Sequence, residues 1–240
     1  MRKLTLQMPV IFLSMFVFWA FLINNNSSDK GLSTEEVSGI LKLSEIRHLY
    51  EKLNLQNEVS YKAFRQAYNG YQKLTVKKHV LTLIDFSKPS TEERMYVIDM
   101  KNEKVLFKTH VAHGKNSGGN YTTSFSNKMG SNQSSLGFFL TEKTYQGNNG
   151  YSLVINGLEK NINDKAKARA VVIHGADYAN PRLAKSTGRL GRSFGCPALP
   201  RDVTKPIIDT IKDGSLIYAY CEKFNDDYLK GSSILSSANI

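Results

Sequence analysis

The stretch VVIHGADYANPRLAKSTGRLGRSFGCPALP, Val171 to Pro200, decides how this chain is interpreted. It opens as a short apolar strand that ends in His174, and it later reaches Cys196. A cysteine attacks as its thiolate, so it needs a base or a cation beside the sulfur. Histidine is the usual base because its pKa lies near neutrality. The stretch therefore predicts a Cys196–His174 dyad at the end of a strand.

Glycines flank both members of this predicted dyad. Gly195 lets the backbone approach a substrate carbonyl closely, and its N–H group, with that of Cys196, is placed to hold a developing oxyanion. Gly175, directly after His174, is a second backbone position of the predicted site. The group that orients the imidazole stays open between Ser193 and a backbone carbonyl. The sequence thus predicts a tight loop whose course is set by its backbone.

Each of these residues also has a simpler interpretation. Two cysteines in an exported protein often form a disulfide, so Cys196 could pair with Cys221. Cys221 follows the apolar run 216–220, however, where a free cysteine behaves as a small buried hydrophobe. His174 alone could be a packed polar residue at a strand end. Spacing does not decide between these readings.

Short apolar segments rich in β-branched and aromatic residues predict strands, with turn-forming residues between them. They are residues 80–86, 95–100, 105–111, 136–140, 153–155, 171–173 and 216–220. Because most of them are not separated by helices, the fold class is predicted to be mainly β, an antiparallel sandwich or barrel. A short helix is predicted near 205–212. The polar segment 114–135 is predicted to be a loop near the site.

Residues 33 to about 73 predict two helices. Ser33 and Glu36 have the spacing of a capping box. A break is predicted at 54–58, and the aromatic residues of 61–71 recur at helical intervals. We expect these helices to form a buttress against the strands.

The predicted domain organisation has four parts. Residues 1–25 are a signal peptide or an N-terminal membrane anchor, and residues 26–75 are a linker and the helical buttress. Residues 76–225 form the catalytic domain. Residues 226–240 end in small and polar side chains, which predicts a flexible tail.

Charge and the N-terminus indicate the compartment. The 240 residues carry 32 Lys and Arg against 21 Asp and Glu, a net charge of +11. A basic protein favours anionic surroundings, although the charge could also be only a solvated surface. Arg2 and Lys3 precede the apolar run Met8–Ile23, which predicts export to the periplasm or cell envelope, with retention in the inner membrane as the alternative. Export argues against nucleic acid and favours an anionic cell-wall or membrane surface as partner.

Four stretches of the sequence resemble a known family. The chain is similar to the L,D-transpeptidase catalytic domain of the YkuD-like fold, and more closely to its divergent branch, the murein L,D-transpeptidase catalytic domain family. The resemblance rests on VAHGKNSG (111–118), FSNKMGSNQSSLGFFLT (125–141), RAVVIHGADY (169–178) and GRLGRSFGCPALP (188–200). It covers about residues 60–222.

This resemblance implies a mainly β sandwich with Cys196 as nucleophile and His174 as base. In the family the cysteine attacks the carbonyl of the third residue of the peptidoglycan stem peptide, and the terminal D-alanine leaves. An amine of a neighbouring stem then forms a cross-link, whereas water as acceptor makes the enzyme an L,D-carboxypeptidase. No metal or cofactor is implied. His110 and His113 are not interpreted as metal ligands, because they would point to opposite faces of a continuing strand.

The chain also departs from the better-known branch of the family. Phe194 stands where that branch often has a polar residue, and Pro197 follows the cysteine where it tends to have arginine or asparagine. Our hypothesis is that Arg189 or Arg192 binds the substrate carboxylate beside Phe194, since guanidinium binds carboxylate bidentately. The alternative is that both arginines are solvated loop charges.

Two other functions stay open. The chain could be a non-catalytic wall-binding protein of the same fold, with Cys196 in a disulfide. It could also be a secreted cysteine hydrolase with an unrelated amide or ester substrate. The presence of both His174 and Cys196, with glycines around the thiol, favours an enzyme. We expect a monomer.

Overall fold

The structure is a computed structural model that describes residues 33–235. The chain divides between Lys42 and Leu43, and the second unit, Leu43–Ile240, contains every strand. Residues 1–25, interpreted as a signal or anchor, lie outside the described residues. Within 33–235 no helix is both long and apolar enough to cross a membrane.

Two helices precede the strands, as predicted. Helix α1 spans Thr34–Lys52 and helix α2 spans Tyr61–Lys73. The predicted capping box is present, because Ser33 N–H donates to Glu36 Oε2 at 2.7 Å and Glu36 N–H donates to Ser33 Oγ at 3.2 Å. Such reciprocal bonds satisfy two N–H groups that a helix start leaves without partners.

Eight strands form one sheet. They are β1 Val80–Asp85, β2 Met95–Asp99, β3 Lys104–Thr109, β4 Gly137–Gly147, β5 Gly150–Gly157, β6 Val172–Gly175, β7 Ala198–Leu199 and β8 Leu216–Tyr220. Their order is β3-β2-β1-β8-β4-β5-β6-β7. The pairs β1–β8 and β6–β7 are parallel and the others are antiparallel. The prediction of a mainly β, mainly antiparallel fold is confirmed.

The two edges of this sheet are joined by the chain that follows β3. Ala112 N–H donates to Ala198 O at 2.8 Å, and Ala198 N–H donates to Ala112 O at 3.3 Å. Ala198 belongs to β7, the opposite edge strand. The sheet is therefore a nearly closed barrel, a form that leaves few unpaired edge groups.

Helix α2 is the predicted buttress. Its Phe64 and Ala67 are fully buried in the same apolar core as the strands. Gly70 faces the ring of Phe138 on β4, and a Cβ atom at Gly70 would lie 2.1 Å from that ring. Only glycine permits this approach. The compact unit Leu43–Ile240 therefore includes α2 together with the strands.

Strand β4 is longer than predicted. The sequence predicted 136–140, whereas β4 continues to Gly147. Its first part lies between two strands, since β8 pairs with it up to Leu140. Beyond Thr141 only β5 pairs with it, and most of its side chains are exposed or half-buried. The second part has no continuous apolar run because it has no second neighbour to pack against.

Other short elements also differ from prediction. Strand β7 has only two residues and lies between prolines, so no apolar run announced it. Helix α3, Pro181–Thr187, was not predicted; it is capped by Asn180, whose side chain accepts from Arg182 N–H at 2.9 Å. Helix α4 spans Arg201–Ile211, so the helix predicted at 205–212 begins earlier.

The flexible tail predicted for 226–240 is wrong for residues 226–235. Helix α5 spans Asn225–Gly231, and Tyr228 and Leu235 are buried. The Tyr228 hydroxyl donates to Glu159 Oε2 at 2.9 Å, and Ser232 Oγ donates to Glu159 Oε1 at 2.5 Å. Glu159 is fully buried, and burial raises its pKa. The segment is held because a buried carboxylate needs these donors. Residues 236–240 lie outside the described part.

Replacing Leu235 tests this docked segment. We expect Leu235→Ala to lower the free energy of unfolding by about 2–3 kcal/mol, because it removes a buried side chain and leaves a cavity. Ser233→Ala, two residues away at an exposed position, serves as the control and should leave stability unchanged. Urea unfolding of both variants gives the comparison. Equal stability of both variants and the parent would restore the flexible-tail interpretation.

Candidate active site

Cys196 lies at the barrel edge, two residues before the Ala198–His174 pair of β7 and β6. Its side chain is half-buried and free, and Cys221 is a free, buried thiol. The alternative of a Cys196–Cys221 disulfide is therefore wrong. The Cys196 Sγ atom accepts from Val172 N–H at 3.5 Å and donates to Ala170 O at 3.7 Å. The thiol is thus oriented by the backbone that leads into β6.

His174 is buried on the adjacent strand, and its Nδ1 lies 3.0 Å from Gly175 O. A carbonyl only accepts, so Nδ1 carries the proton and Nε2 is the basic nitrogen. Among the described residues, the hydrogen bonds of the thiol and of the imidazole go to backbone groups and not to each other. Cys196, two residues before β7, and His174, on the neighbouring strand β6, have no hydrogen bond to each other. Such bonds are often long before substrate binds.

Both members of the pair are neutral near pH 7. Burial raises the pKa of the Cys196 thiol above its ordinary value of 9.0, against the opposing effects of Val172 N–H and the Arg169 charge. Burial lowers the pKa of His174 below 6.5. In the resting state Cys196 is a thiol and His174 a neutral imidazole, and a thiolate forms only when the thiol gives up its proton.

Ser193 and Gly195 form the loop before the thiol. Ser193 Oγ donates to Cys196 O at 2.6 Å and accepts from Gly195 N–H at 3.0 Å. Ser193 therefore orients the loop and not the imidazole, which is oriented by the other predicted candidate, a backbone carbonyl. The Gly195 N–H group is occupied, so in this arrangement it does not face an oxyanion. Gly175 contributes its carbonyl, and a Cβ atom there would lie 2.7 Å from Thr204 Oγ1 of α4.

The predicted substrate-binding residues lie on the rim of the site, which is the loop 189–194 before Gly195 and Cys196. Phe194 is 73% exposed, and the Lys115 ammonium lies 4.3 Å from its ring centroid. Arg192 Nη1 donates to Lys115 O at 3.0 Å and to Gly118 O at 2.9 Å. Arg189 Nη1 donates to the adjacent Leu190 O at 3.1 Å. Both arginines have backbone carbonyl partners, and Arg192 ties the 114–135 loop to the cysteine loop.

The long polar loop lies beside the thiol, as predicted. Ser134 Oγ accepts from Gly114 N–H at 3.0 Å and donates to Gly195 O at 3.2 Å. Ser193 N–H donates to His113 O at 3.0 Å, and Lys115 N–H donates to Ser193 O at 2.7 Å. These bonds continue the Ala112–Ala198 bridge and fix the loop against the cysteine segment.

A buried arginine, Arg94, supports the segment 111–113 from the protein interior. Arg94 is fully buried, and its Nε and Nη2 donate to Val111 O at 3.0 and 2.7 Å. Its Nη2 also lies 2.8 Å from His113 Nδ1, which must accept because guanidinium only donates. Burial and the Arg94 charge lower the pKa of His113 to about 4. His113 is therefore a neutral structural residue, and no group of His, Cys, Asp or Glu within 33–235 is arranged to hold a metal.

Two residues near the thiol were not predicted. They are Arg169 and Tyr178. The positive charge of Arg169 acts to lower the pKa of the Cys196 thiol. Burial and the negative charge of the Cys196 thiolate raise the pKa of Tyr178 to about 12. A Cβ atom at Gly191 would lie 2.3 Å from Tyr178 Cβ, so glycine makes room for the tyrosine. Their signal in the sequence is their position at the start and end of RAVVIHGADY (169–178), on either side of His174.

The fold is a nearly closed β barrel with a free thiol, Cys196, and a buried imidazole, His174, near the β6–β7 edge. Residues 55–220 match the family model described as L,D-transpeptidase catalytic domain. This match covers more than half of the chain, and the chain belongs to the L,D-transpeptidase catalytic domain family. The family resemblance drawn from the sequence is confirmed.

Solved L,D-transpeptidases are similar at low identity. The enzyme from Mycobacterium smegmatis has 15% identity and a TM-score of 0.38, over 59% of this chain and 58% of that chain. The enzyme from Stackebrandtia nassauensis has 14% identity and a TM-score of 0.36, over 85% of this chain and 87% of that chain. The enzyme from Xylanimonas cellulosilytica has 13% identity and a TM-score of 0.33, over 62% and 63%.

This chain spans less than two thirds of the length of the Mycobacterium smegmatis enzyme, 58%, and of the Xylanimonas cellulosilytica enzyme, 63%. No curated protein matches the sequence.

Substitution of Gly195 tests the loop that presents the thiol. Its φ is +126°, and a Cβ atom would lie 2.9 Å from Gln133 O. We expect Gly195→Ala to destabilise the protein by about 2 kcal/mol or more and to change the alkylation rate of Cys196, because an alanine at this φ would be strained and its Cβ would crowd Gln133 O. Gly188→Ala is the matched control: φ there is +72° but no atom lies within 4 Å, so we expect about 1 kcal/mol and unchanged alkylation. Equal effects of the two variants would contradict this account.

The neutral His113 predicts a pH dependence of stability. Its pKa is about 4 in the folded protein and 6.5 as the ordinary value. Between these values the unfolded chain binds the proton and the folded one does not, so stability is complete above pH 6.5 and is lost toward pH 4. We expect a contribution of about 3 kcal/mol, measured as the difference between the parent and His113→Gln in urea unfolding across this range. Parallel pH profiles of the two proteins would refute it.

Proposed function

We propose that this chain is a peptidoglycan L,D-transpeptidase that acts through a Cys196 acyl-enzyme, with His174 as the base. The observation that supports it most directly is that the family domain, 55–220, contains both a free thiol two residues before β7 and a buried imidazole on the neighbouring strand β6. This pair is the chemistry that acyl transfer through a thioester requires.

The first step moves one proton and forms one bond. His174 Nε2 takes the thiol proton as Cys196 Sγ attacks the carbonyl carbon of the third stem-peptide residue. Gly175 O accepts from His174 Nδ1–H, so the imidazole keeps Nε2 directed to this task and is stabilised when it becomes charged. Because thiol and imidazole are both neutral at rest, substrate binding has to trigger the transfer.

The later steps of the reaction release D-alanine and then transfer the stem peptide from the thioester to an acceptor. The imidazolium returns its proton to the departing amine, the peptide bond breaks, and D-alanine leaves with the stem peptide bound to Cys196 as a thioester. An acceptor amine of a neighbouring stem then attacks the thioester carbonyl and gives up a proton to His174, the bond between the carbonyl carbon and Cys196 Sγ breaks, and the imidazolium returns the proton to the sulfur. The thiol is regenerated and a cross-link has formed.

The rim supplies the proposed substrate contacts. The exposed Phe194 ring, with the Lys115 ammonium beside it, offers an apolar and cationic surface one loop residue away from the Gly195–Cys196 segment. Arg192 and Arg189 are the proposed partners of the substrate carboxylate, and Arg192 is already held in place by carbonyls of the 114–135 loop. Exposed aromatic rings beside cations suit mixed apolar and charged ligands.

The proposed location is the cell envelope, reached by export through residues 1–25 as signal or anchor. The net charge of +11 suits an anionic wall or membrane surface. The proposed partners are stem peptides and that surface, with no nucleic acid, cofactor or metal, and the chain is proposed to be a monomer.

The decisive test uses the reduced chain with tetrapeptide muropeptides, followed by mass spectrometry of products and intact protein. Cys196→Ala removes the proposed nucleophile, and Cys221→Ala removes the buried thiol as its matched control. We expect loss of D-alanine and a transient acyl adduct in the parent and in Cys221→Ala, and neither in Cys196→Ala.

The products then separate the alternatives. Cross-linked dimers identify a transpeptidase, and tripeptides alone identify an L,D-carboxypeptidase with water as acceptor. A folded, reduced protein that gives no adduct and no product would refute the acyl-enzyme proposal and favour a wall-binding role or an unrelated substrate.

A further inference from the structure

Arg169 holds one side of the site together. Its Nη1 donates to Ser126 O and to Ser135 Oγ, both at 2.7 Å. Its Nη2 donates to Gln133 O at 2.5 Å and to Ser131 Oγ at 3.2 Å. All four partners belong to the polar loop 126–135, so one half-buried side chain fastens both ends of this loop segment.

The charge of Arg169 has no carboxylate partner among the described residues; its acceptors are neutral oxygens. A half-buried guanidinium without an anion is uncommon, because desolvation disfavours its charge. Burial indeed lowers the pKa of Arg169, and the one opposing influence is the thiolate form of Cys196. The site therefore contains a positive charge before its negative partner has formed.

The backbone places this charge beside the thiol. Arg169 Nη2 lies 3.4 Å from the position that a Cβ atom of Gly195 would take. The carbonyl of the next residue, Ala170, accepts a hydrogen bond from the Cys196 thiol, and Val172 N–H donates a hydrogen bond to the same sulfur. The short segment 169–172 thus carries Arg169 and also holds the Cys196 sulfur through two backbone groups.

The turn itself is strained. Ala170 has φ of +54°, in the left-handed region that residues other than glycine, asparagine and aspartate seldom adopt. Strained residues persist where the surrounding structure holds them, and they cluster at functional sites. In this conformation Ala170 O accepts from the thiol while its neighbour Arg169 donates to the loop.

We propose that Arg169 is a positioning residue with two tasks: it locks the 126–135 loop against Gly195, and its unpaired charge stabilises the Cys196 thiolate as this forms. His174 then acts as the proton acceptor, while Arg169 supplies the electrostatic support. The consequences for turnover rest on the proposed function, but the consequences for the thiol do not.

Alkylation of Cys196 by iodoacetamide as a function of pH tests the electrostatic task, since it needs no wall substrate. All proteins carry Cys221→Ala, so that Cys196 is the one thiol. We expect Arg169→Gln to raise the pH midpoint by about one unit, because a neighbouring positive charge lowers a thiol pKa by that order. Arg169→Lys keeps a charge and should restore most of the shift. Arg182→Gln, an exposed arginine on α3, is the control and should leave the midpoint unchanged.

Amide hydrogen exchange tests the loop task. We expect faster exchange within 126–135 in both Arg169→Gln and Arg169→Lys, because lysine cannot reproduce the forked bonds of guanidinium. A folded Arg169→Gln protein with the parent midpoint would overturn the electrostatic task, and parent-like exchange in both variants would overturn the locking task. If the midpoint shifts while muropeptides are not processed, this inference stands and the proposed function fails.

Discussion

The backbone hydrogen bonds between Ala112 and Ala198 are the constraint on which the rest of the site depends. They join the chain beyond β3 to the opposite edge strand β7 and so nearly close the sheet. The same register continues as His113 O to Ser193 N–H and Ser193 O to Lys115 N–H. The cysteine loop is therefore shaped by a segment eighty residues earlier in sequence as much as by its own residues. Arg94 supports this seam from the interior because buried carbonyls such as Val111 O need a donor.

The electrostatics of the site follow from burial. Desolvation keeps the thiol protonated and the imidazole neutral, so neither reacts readily without substrate. The positive charge of Arg169 is already in position near Cys196, so no group has to move during the reaction to supply it. Preorganised charge of this kind stabilises developing anions without further rearrangement. The neutral thiol and imidazole and the unpaired Arg169 guanidinium thus act together: the first two groups are uncharged at rest, and the third stabilises the thiolate when it forms.

Much of the fold and part of the site could be predicted from sequence, for physical reasons. Strands buried on both faces, such as Leu216–Tyr220, appear as apolar runs, and His174 and Cys196 stand out by their chemistry. The exposed half of β4 gave no such run, and the docked Leu235 followed small polar residues that are typical of loose ends. Arg169 was missed because its partners lie in a loop whose course no periodicity specifies. The proposed roles of Ser193 and Gly195 changed because their hydrogen bonds to each other depend on the backbone path and not on residue type.

The position of β8 has a consequence for how the chain becomes folded. This strand lies between β1 and β4 in the middle of the sheet, yet it is the last of the eight strands that the structure describes along the chain. A ribosome therefore has to finish Tyr220 before the central ladder can form, and the earlier strands wait without their neighbour. Pairing β1 with β8 closes a loop of more than a hundred residues, which makes folding slow. The sheet therefore lacks its central ladder until the last of its strands has been synthesised.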